Sequence, residues 1–545
     1  MSKSSSRFVP LLVSIGVVLG ILIGSFYANH YSGNRLSIIN TSSNKVSDLF
    51  HLIDDEYVDS VNISDLVERS LPHILMELDP HSVYISADKV EGSMQDLRGS
   101  FSGIGIQFLV LRDTVRVVRV LPGGPSAGAG IEPGDCIVAV DNKPFVGKEV
   151  SSDETLRRLK GEKGSTVAVT VYRRSTGRSQ TYKVVRGDVP VQSIDAAYMV
   201  DKATGYIRIK SFGETTYAEF LTALAQLGTQ GFESLILDLR GNVGGYMAPA
   251  VQIANEFLPK NRLIVYTKGR KSPREEYSSD GRGSYQTMPL VILVDETTAS
   301  ASEILAGAMQ DNDRATIIGR RTFGKGLVQV PIEFRDGSML RLTRARYYTP
   351  SGRCLQKPYT PGQEQLYDDD LLWRAEHGEY FNSDSIRTSG EKYHTLMGRV
   401  VYGGGGIIPD VFVARDTVGI TSYFRDAYFG GHISAFTFDY VDRHRSQLAR
   451  FRSNPDALVK WTKTQNLLSQ FASYAERAGL KRRNLMLQTS SKLLTEYIVT
   501  NMLNDLYEPA DAIKYANSQD PAIAEALKLV HNNATYPTSQ SQQQK

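Results

Sequence analysis

Two segments of this chain repeat one pattern: a short apolar run, a turn of small residues, then a helical stretch. The first is Leu235-Ile-Leu-Asp-Leu239, followed by Arg240-Gly-Asn-Val-Gly-Gly245 and a helix expected from about 248 to 257. The second is Pro289-Leu-Val-Ile-Leu-Val294, followed by a cluster of hydroxyl residues and the helical Glu303-Ile-Leu-Ala-Gly-Ala-Met309. Apolar runs this short and continuous fit strands buried on both faces. Their alternation with helices predicts a layered βαβ core with its site at the carboxyl ends of the strands. Tyr206–Ile209 as a strand and 216–227 as an amphipathic helix extend that core upstream.

Ser300 stands at the second strand-to-helix junction. A serine there can expose its hydroxyl beside backbone N–H groups of the helix start, which suits a nucleophile. A nucleophile needs a base, and the nine histidines are at 30, 51, 73, 81, 377, 394, 432, 444 and 531. None falls between 82 and 376, so a histidine base would have to come from outside the β-rich unit and the αβ core. Lys325 is the alternative, in Thr322-Phe-Gly-Lys-Gly-Leu-Val-Gln-Val330. Burial lowers a lysine pKa by disfavouring the ammonium, so a lysine among apolar neighbours can act as a neutral base. A lone Gly-Lys-Gly would be a solvated turn; its pairing with the serine turn and the 240–245 loop favours chemistry. Gly319–Lys325 also fits a phosphate-binding loop, but position 326 is glycine and a strand follows, where that loop needs Ser or Thr and a helix.

Residues 99–187 are β-rich. They open with Gly99-Ser-Phe-Ser-Gly-Ile-Gly-Ile-Gln-Phe108, continue through the strand 115–120 and the turn Leu121–Gly130, and reach Ile131-Glu-Pro-Gly-Asp135 before another strand. A helix over 153–159 and an alternating strand, Thr166–Tyr172, complete the unit. This order resembles a PDZ domain. Glycines 103 and 105 let backbone N–H groups approach a ligand, so Ser102, Gly103, Ile104, Gly105 and Ile106 are the candidate seat for a substrate's terminal carboxylate.

At 545 residues the chain exceeds one ordinary domain, and a net charge of +3 carries no nucleic-acid footprint. Two cysteines, Cys136 and Cys354, are too few for a disulfide framework. Lys3 and Arg7 precede an uncharged run, so 1–7 reads as a cytoplasmic end and 8–28 as a membrane-spanning signal-anchor, favoured over a cleaved signal because Phe26 spoils the cleavage site. The bulk is then expected in the periplasm or cell envelope. Residues 32–98 are expected as a tether (to 44) and a helical segment in which Pro80 of Leu78-Asp-Pro-His-Ser-Val-Tyr84 interrupts the helix. The core is expected over 188–413, with a polar insert at about 357–396. A helical region follows over 414–533, and a disordered Gln/Ser-rich tail over 534–545.

Ser300-Ala-Ser-Glu303, Phe323-Gly-Lys-Gly326 and Asp238-Leu-Arg-Gly-Asn-Val-Gly-Gly245 together resemble the carboxyl-terminal processing (tail-specific) proteases, over roughly 45–355 and 403–411. The resemblance implies a multi-domain α/β protein: a PDZ domain beside a ClpP/crotonase-like Ser/Lys peptidase core, with helical terminal segments. It implies Ser300 as nucleophile, Lys325 as base and Gln329 as the residue that holds the lysine, i and i+4 on a strand sharing a face. Glu303 is a second possible partner, or a charge suited to a helix N-terminus. The oxyanion hole would use the Ala301 N–H and a loop N–H, that of Gly244. No cofactor and no metal is implied. Substrates would be proteins with apolar C-termini, and the chain would form homo-oligomers through its helical segments. Thr297-Thr298, Val243 and the insert depart from the family pattern. A non-catalytic PDZ adaptor for exported clients is the alternative, against which the intact Ser300, Lys325 and Gln329 argue.

Overall fold

The computed structural model of the chain describes residues 18–20, 41–148, 150–388 and 390–536, in two units divided between Glu77 and Leu78. In the first unit, α1 (Thr41–Glu56) begins inside the stretch expected as a tether, and α2 (Ile63–Met76) is capped by Asn62, whose side chain accepts the Asp65 N–H at 3.3 Å. Of the expected membrane span at 8–28, only 18–20 are among the described residues. Among the described residues no helix is long and apolar enough to cross a membrane. That contradicts the expected signal-anchor, and with it the membrane attachment and the membrane-anchored location that were read from it.

The second unit opens with β1 (Val83–Ile85) and α3 (Ala87–Arg98). The β-rich region follows: β2 (Ser100–Gly103), β3 (Ile106–Leu111), β4 (Thr114–Val120), α4 (Pro125–Ala129) and β5 (Cys136–Val140). Then come α5 (Ser152–Leu159), β6 (Thr166–Arg173), β7 (Arg178–Val185) and β8 (Gly187–Pro190). Among the described residues the sheet order β3-β4-β5-β6-β7 leaves one edge of β3 open, while β2 pairs only with β8. Val167, Val169 and Val171 of β6 are buried at alternate positions and make the centre of this core.

The αβ core contains β9 (Ile194–Met199), β10 (Thr204–Ile209), α6 (Thr216–Gly228), β11 (Ser234–Asp238), α7 (Met247–Phe257), β12 (Leu263–Lys268) and β13 (Glu275–Ser278). It continues through β14 (Leu290–Val294), α8 (Ala301–Asp311), β15 (Thr316–Gly319), β16 (Leu327–Glu333) and β17 (Met339–Tyr348). The expected insert holds α9 (Glu364–Asp368) and α10 (Asp370–Glu376), and β18 (Val411–Phe412) closes the sheet. The main sheet is ordered β9-β10-β11-β14-β15-β18, parallel except for its first pair. A second sheet runs β1-β17-β12-β13, with β16 also paired to β17.

Both faces of the main sheet are covered. Leu235, Leu237, Leu290 and Ile292 meet α6, α7 and α8 through Phe220, Ile253, Phe257 and Leu305. The alternate residues Ile236, Val291 and Leu293 point the other way, onto Ala522, Ile523 and Ala526 of α11 (Pro521–His531). Each such fully buried aliphatic side chain contributes ~1.5–3 kcal/mol. Between β18 and α11 lies a helical region whose core includes Tyr423, Phe436, Phe471 and Ile498. Beyond α11 the Tyr536 N–H donates to Thr316 Oγ1 at 2.9 Å, so the segment expected to be disordered from 534 on is joined to the core at 536; residues 537–545 lie outside the described residues.

Candidate active site

Ser300 follows the carboxyl end of β14 and is the N-cap of α8. Its φ is 56° and its ψ −118°, outside the regions that L-residues occupy without strain. The turn is held from below: Thr298 Oγ1 donates to Leu239 O at 2.9 Å, while Asn242 O accepts the Ala299 N–H and the Ser302 hydroxyl, each at 3.0 Å. Gly244, at φ 102°, lies directly over the serine, and a Cβ there would come within 2.7 Å of Ser300 Cβ. The Ala301 N–H belongs to the first helical residue, so helix geometry gives it no intrahelical acceptor. The Gly244 N–H differs from the sequence expectation of a free oxyanion donor: it donates to Asn242 Oδ1 at 2.8 Å.

Glu303 joins the two key segments. Its Oε2 accepts the Ser300 N–H at 2.9 Å and the Lys325 N–H at 2.8 Å; its Oε1 accepts the Gly324 N–H at 2.7 Å and the Thr322 hydroxyl. Burial pushes its carboxyl up from the ordinary value, opposed by those four donors. Tyr347 on β17 adds a second tie, its hydroxyl within 3.3 Å of Ser300 O and 2.5 Å of Lys325 O. Burial holds the Lys325 amine below its ordinary value; Arg341 lowers it further, and Glu303 and Asp79 oppose. The residue expected to strengthen a helix start is thus a clamp between the serine turn and the lysine loop.

Gln329 lies on β16, where its Nε2 donates to Thr343 Oγ1 at 3.2 Å. Lys325 precedes that strand, which starts at Leu327, so strand alternation does not connect the two side chains. Three residues that the sequence reading left in a helix break meet this strand pair. Asp79 Oδ1 accepts the His81 and Ser82 N–H groups, each at 2.9 Å, and the Thr343 hydroxyl at 3.0 Å. His81 Nε2 is 2.9 Å from the Tyr367 hydroxyl of α9. Its pKa is lowered to about 4, first by burial and then by Lys325, so the imidazole is neutral at neutral pH. The sequence signal was Asp79-Pro-His-Ser82 itself, an Asx-type turn, legible as a turn but not as part of the site.

At the expected tail site, Ser102 and Gly103 are paired in β2 with Asp188 and Gly187, and the buried Ser102 hydroxyl has no hydrogen-bond partner among the described residues. Ile104 and Gly105 (φ 73°) form the turn into β3, which starts at Ile106. Ile104 O accepts the Ser126 N–H and Gly105 O the Leu121 N–H, at 2.9 and 3.0 Å, which fixes the loop on α4. Among the described residues no cluster of three or more His, Cys, Asp or Glu is arranged to hold a metal ion.

Three family models match: peptidase family S41 over 203–364, the PDZ domain over 102–184, and a family of unknown function (DUF8443) over 423–508. The carboxy-terminal-processing protease of Bartonella bacilliformis is 34% identical over 318 residues, which cover 57% of this chain and 72% of that protein. The chain belongs to the carboxy-terminal-processing proteases. A probable CtpA-like serine protease of Staphylococcus haemolyticus is 31% identical over 64% of this chain and 69% of its own length. The photosystem II D1 C-terminal processing protease, a solved structure, is 29% identical with a TM-score of 0.33, covering 59% of this chain and 92% of that one. This carboxy-terminal-processing protease is a serine-type endopeptidase with a PDZ domain for substrate recognition and a mixed α/β peptidase core.

Proposed function

We propose that Ser300 is the nucleophile of this protease and Lys325 its general base. The observation that carries the reading is the single carboxylate of Glu303, which holds the backbone N–H groups of both residues while burial keeps the Lys325 amine below its ordinary pKa. Neutral Lys325 accepts the Ser300 proton as Oγ bonds to the substrate carbonyl carbon. The resulting oxyanion faces the Ala301 N–H; Gly244 joins as a second donor only when its N–H leaves Asn242. Lysine returns the proton to the leaving amine, and water, deprotonated by the same lysine, releases the acyl-enzyme. Gln329 fixes the lysine.

The layered core, with α6, α7 and α8 on one face of a mostly parallel sheet, supports a ClpP/crotonase-like peptidase over 188–413, the PDZ domain spanning 99–187 and a helical region 414–533. Substrates are proteins with apolar C-termini, whose terminal carboxylate meets the Ile104–Ile106 turn while the tail adds to the open edge of β3. Self-association runs through the helical segments.

Cleavage of an unfolded polypeptide with an apolar C-terminus by wild type and Ser300→Ala tests the reading. The variant is expected to lose activity by ~10⁴-fold or more. Equal cleavage by the two proteins would overturn the assignment of Ser300 as nucleophile.

A further inference from the structure

Thr343, midway along β17, is bracketed by two elements far apart in sequence. On one side Gln329 of β16 is its strand partner and donates Nε2–H to its hydroxyl oxygen at 3.2 Å. On the other side the turn before β1 holds it twice: the Thr343 N–H donates to Ser82 Oγ at 3.1 Å, and the Thr343 hydroxyl donates to Asp79 Oδ1 at 3.0 Å. The turn is itself locked, since Ser82 Oγ–H donates to Asp79 Oδ2 at 2.6 Å and Asp79 Oδ1 takes two backbone N–H groups. Asp79 is 6% exposed and Ser82 3%, so water does not compete for these bonds.

The polarity of this chain is dictated by its first member. A carboxylate only accepts, so the single hydroxyl proton of Thr343 must point at Asp79. The Thr343 oxygen then meets Gln329 with a lone pair and requires the amide's NH₂ end. The carbonyl end, Gln329 Oε1, is thereby turned away from Thr343 and left to accept a proton. A neutral amine has two N–H bonds and one lone pair. A partner that accepts from an N–H leaves the lone pair for the serine proton, whereas a flipped amide would donate into that lone pair and block the base.

We propose that the Asp79–Ser82 turn and Thr343 are positioning residues for the reaction, fixing which end of the Gln329 amide is presented to Lys325. This rests on the reading of Ser300, Lys325 and Gln329 given above. The turn reaches the site because β1 pairs with the same β17 strand, Val83 opposite Arg341 and Ile85 opposite Met339. Asp79 also opposes the lowering of the lysine pKa, in keeping with a turn on the lysine side of β17.

The test is a kinetic cycle in the full chain on a quenched-fluorescent polypeptide ending in apolar residues. Thr343→Val keeps the shape and the β-branching but removes the hydroxyl. It is expected to lower kcat by between ~10- and ~100-fold with KM within about 2-fold, as misorientation of a reacting group does. Thr343→Ser is expected to recover most of the rate. In a Gln329→Ala background Thr343→Val should cost nothing further, because both changes remove the same function. Asp79→Ala in that background is the second arm and is expected to be equally silent, which keeps the test valid should Thr343→Val fold poorly. Wild-type kcat in Thr343→Val, a loss confined to KM, or losses that multiply with that of Gln329→Ala would each overturn the proposal. Failure of the underlying reading is seen separately, as cleavage retained by Ser300→Ala.

Discussion

At Ser300 the backbone stores strain, and the surrounding contacts explain how it persists. Glu303, Asn242 and Thr298 fix the turn from three directions, and Gly244 allows the 240–245 loop to close over it. Gly244→Ala would need a φ of about 102° and a Cβ within 2.7 Å of Ser300 Cβ. We expect the variant to fall by at least ~10²-fold in kcat, since a displaced Ser300 forfeits near-attack geometry, and its melting temperature to drop as well, because the clash is with backbone atoms of the turn. Lys325 makes the pH dependence predictable. With Lys325 as the proposed base the active form is the neutral amine, so kcat/KM is expected to rise with pH through the lysine pKa, which burial places below the ordinary 10.5. Stability shifts the same way: between the lowered folded pKa and 10.5 the unfolded chain binds the extra proton, so unfolding free energy increases with pH across that window. A kcat/KM–pH profile of the wild-type protein checks the expected rise in rate, and a profile flat from about pH 6 up to the ordinary lysine range would argue against Lys325 as base. Lys325→Arg is expected to abolish cleavage, because a guanidinium stays protonated; activity retained there would remove Lys325 from the mechanism.

At the scale of elements, the inserted segment is part of the lysine's support. Arg374 of α10 is fully buried and donates to Thr322 O at 2.9 Å and Phe323 O at 3.3 Å, while pairing with Asp370 at 3.0 Å. Lys357 sits over the rings of Phe323 and Tyr367 at 4.1 and 3.9 Å. Arg374→Ala leaves two carbonyls of the lysine loop without that donor. We expect a loss of about 2 kcal/mol in unfolding free energy and a lower kcat, measured by urea titration and initial rates. None of this was readable in sequence, where 357–396 showed only polarity and acidic charge. The buried strands and the helices of the core were readable, because short β-branched runs and 3.6-residue periodicity report burial directly. The place of the Asp79–Ser82 turn in the site was not, because its partners on β17 are more than 250 residues away.

For the whole molecule, the C-terminal helix is a layer of the core. Ile523 of α11 is 3% exposed against the sheet face made by Ile236, Val291 and Leu293. Ile523→Ala is expected to lower stability by ~2–5 kcal/mol in denaturant unfolding, with kcat little changed, since the serine turn lies on the opposite, α8 side of β14. A destabilisation under 0.5 kcal/mol would mean that α11 is not a fixed layer. The amino-acid sequence by itself determined the strand-turn-helix repeats and singled out the serine and the lysine as candidates, because those follow from local composition and from which side chains can carry the chemistry. Only the tertiary structure decided what touches them: that Glu303 clamps both, that Gly244 gives its N–H to Asn242, and that Asp79 reaches Gln329 through Thr343. The physical reason is that hydrogen-bond partners are set by which chain segments the sheets bring side by side, and strand pairing of that kind leaves no periodic trace along the sequence.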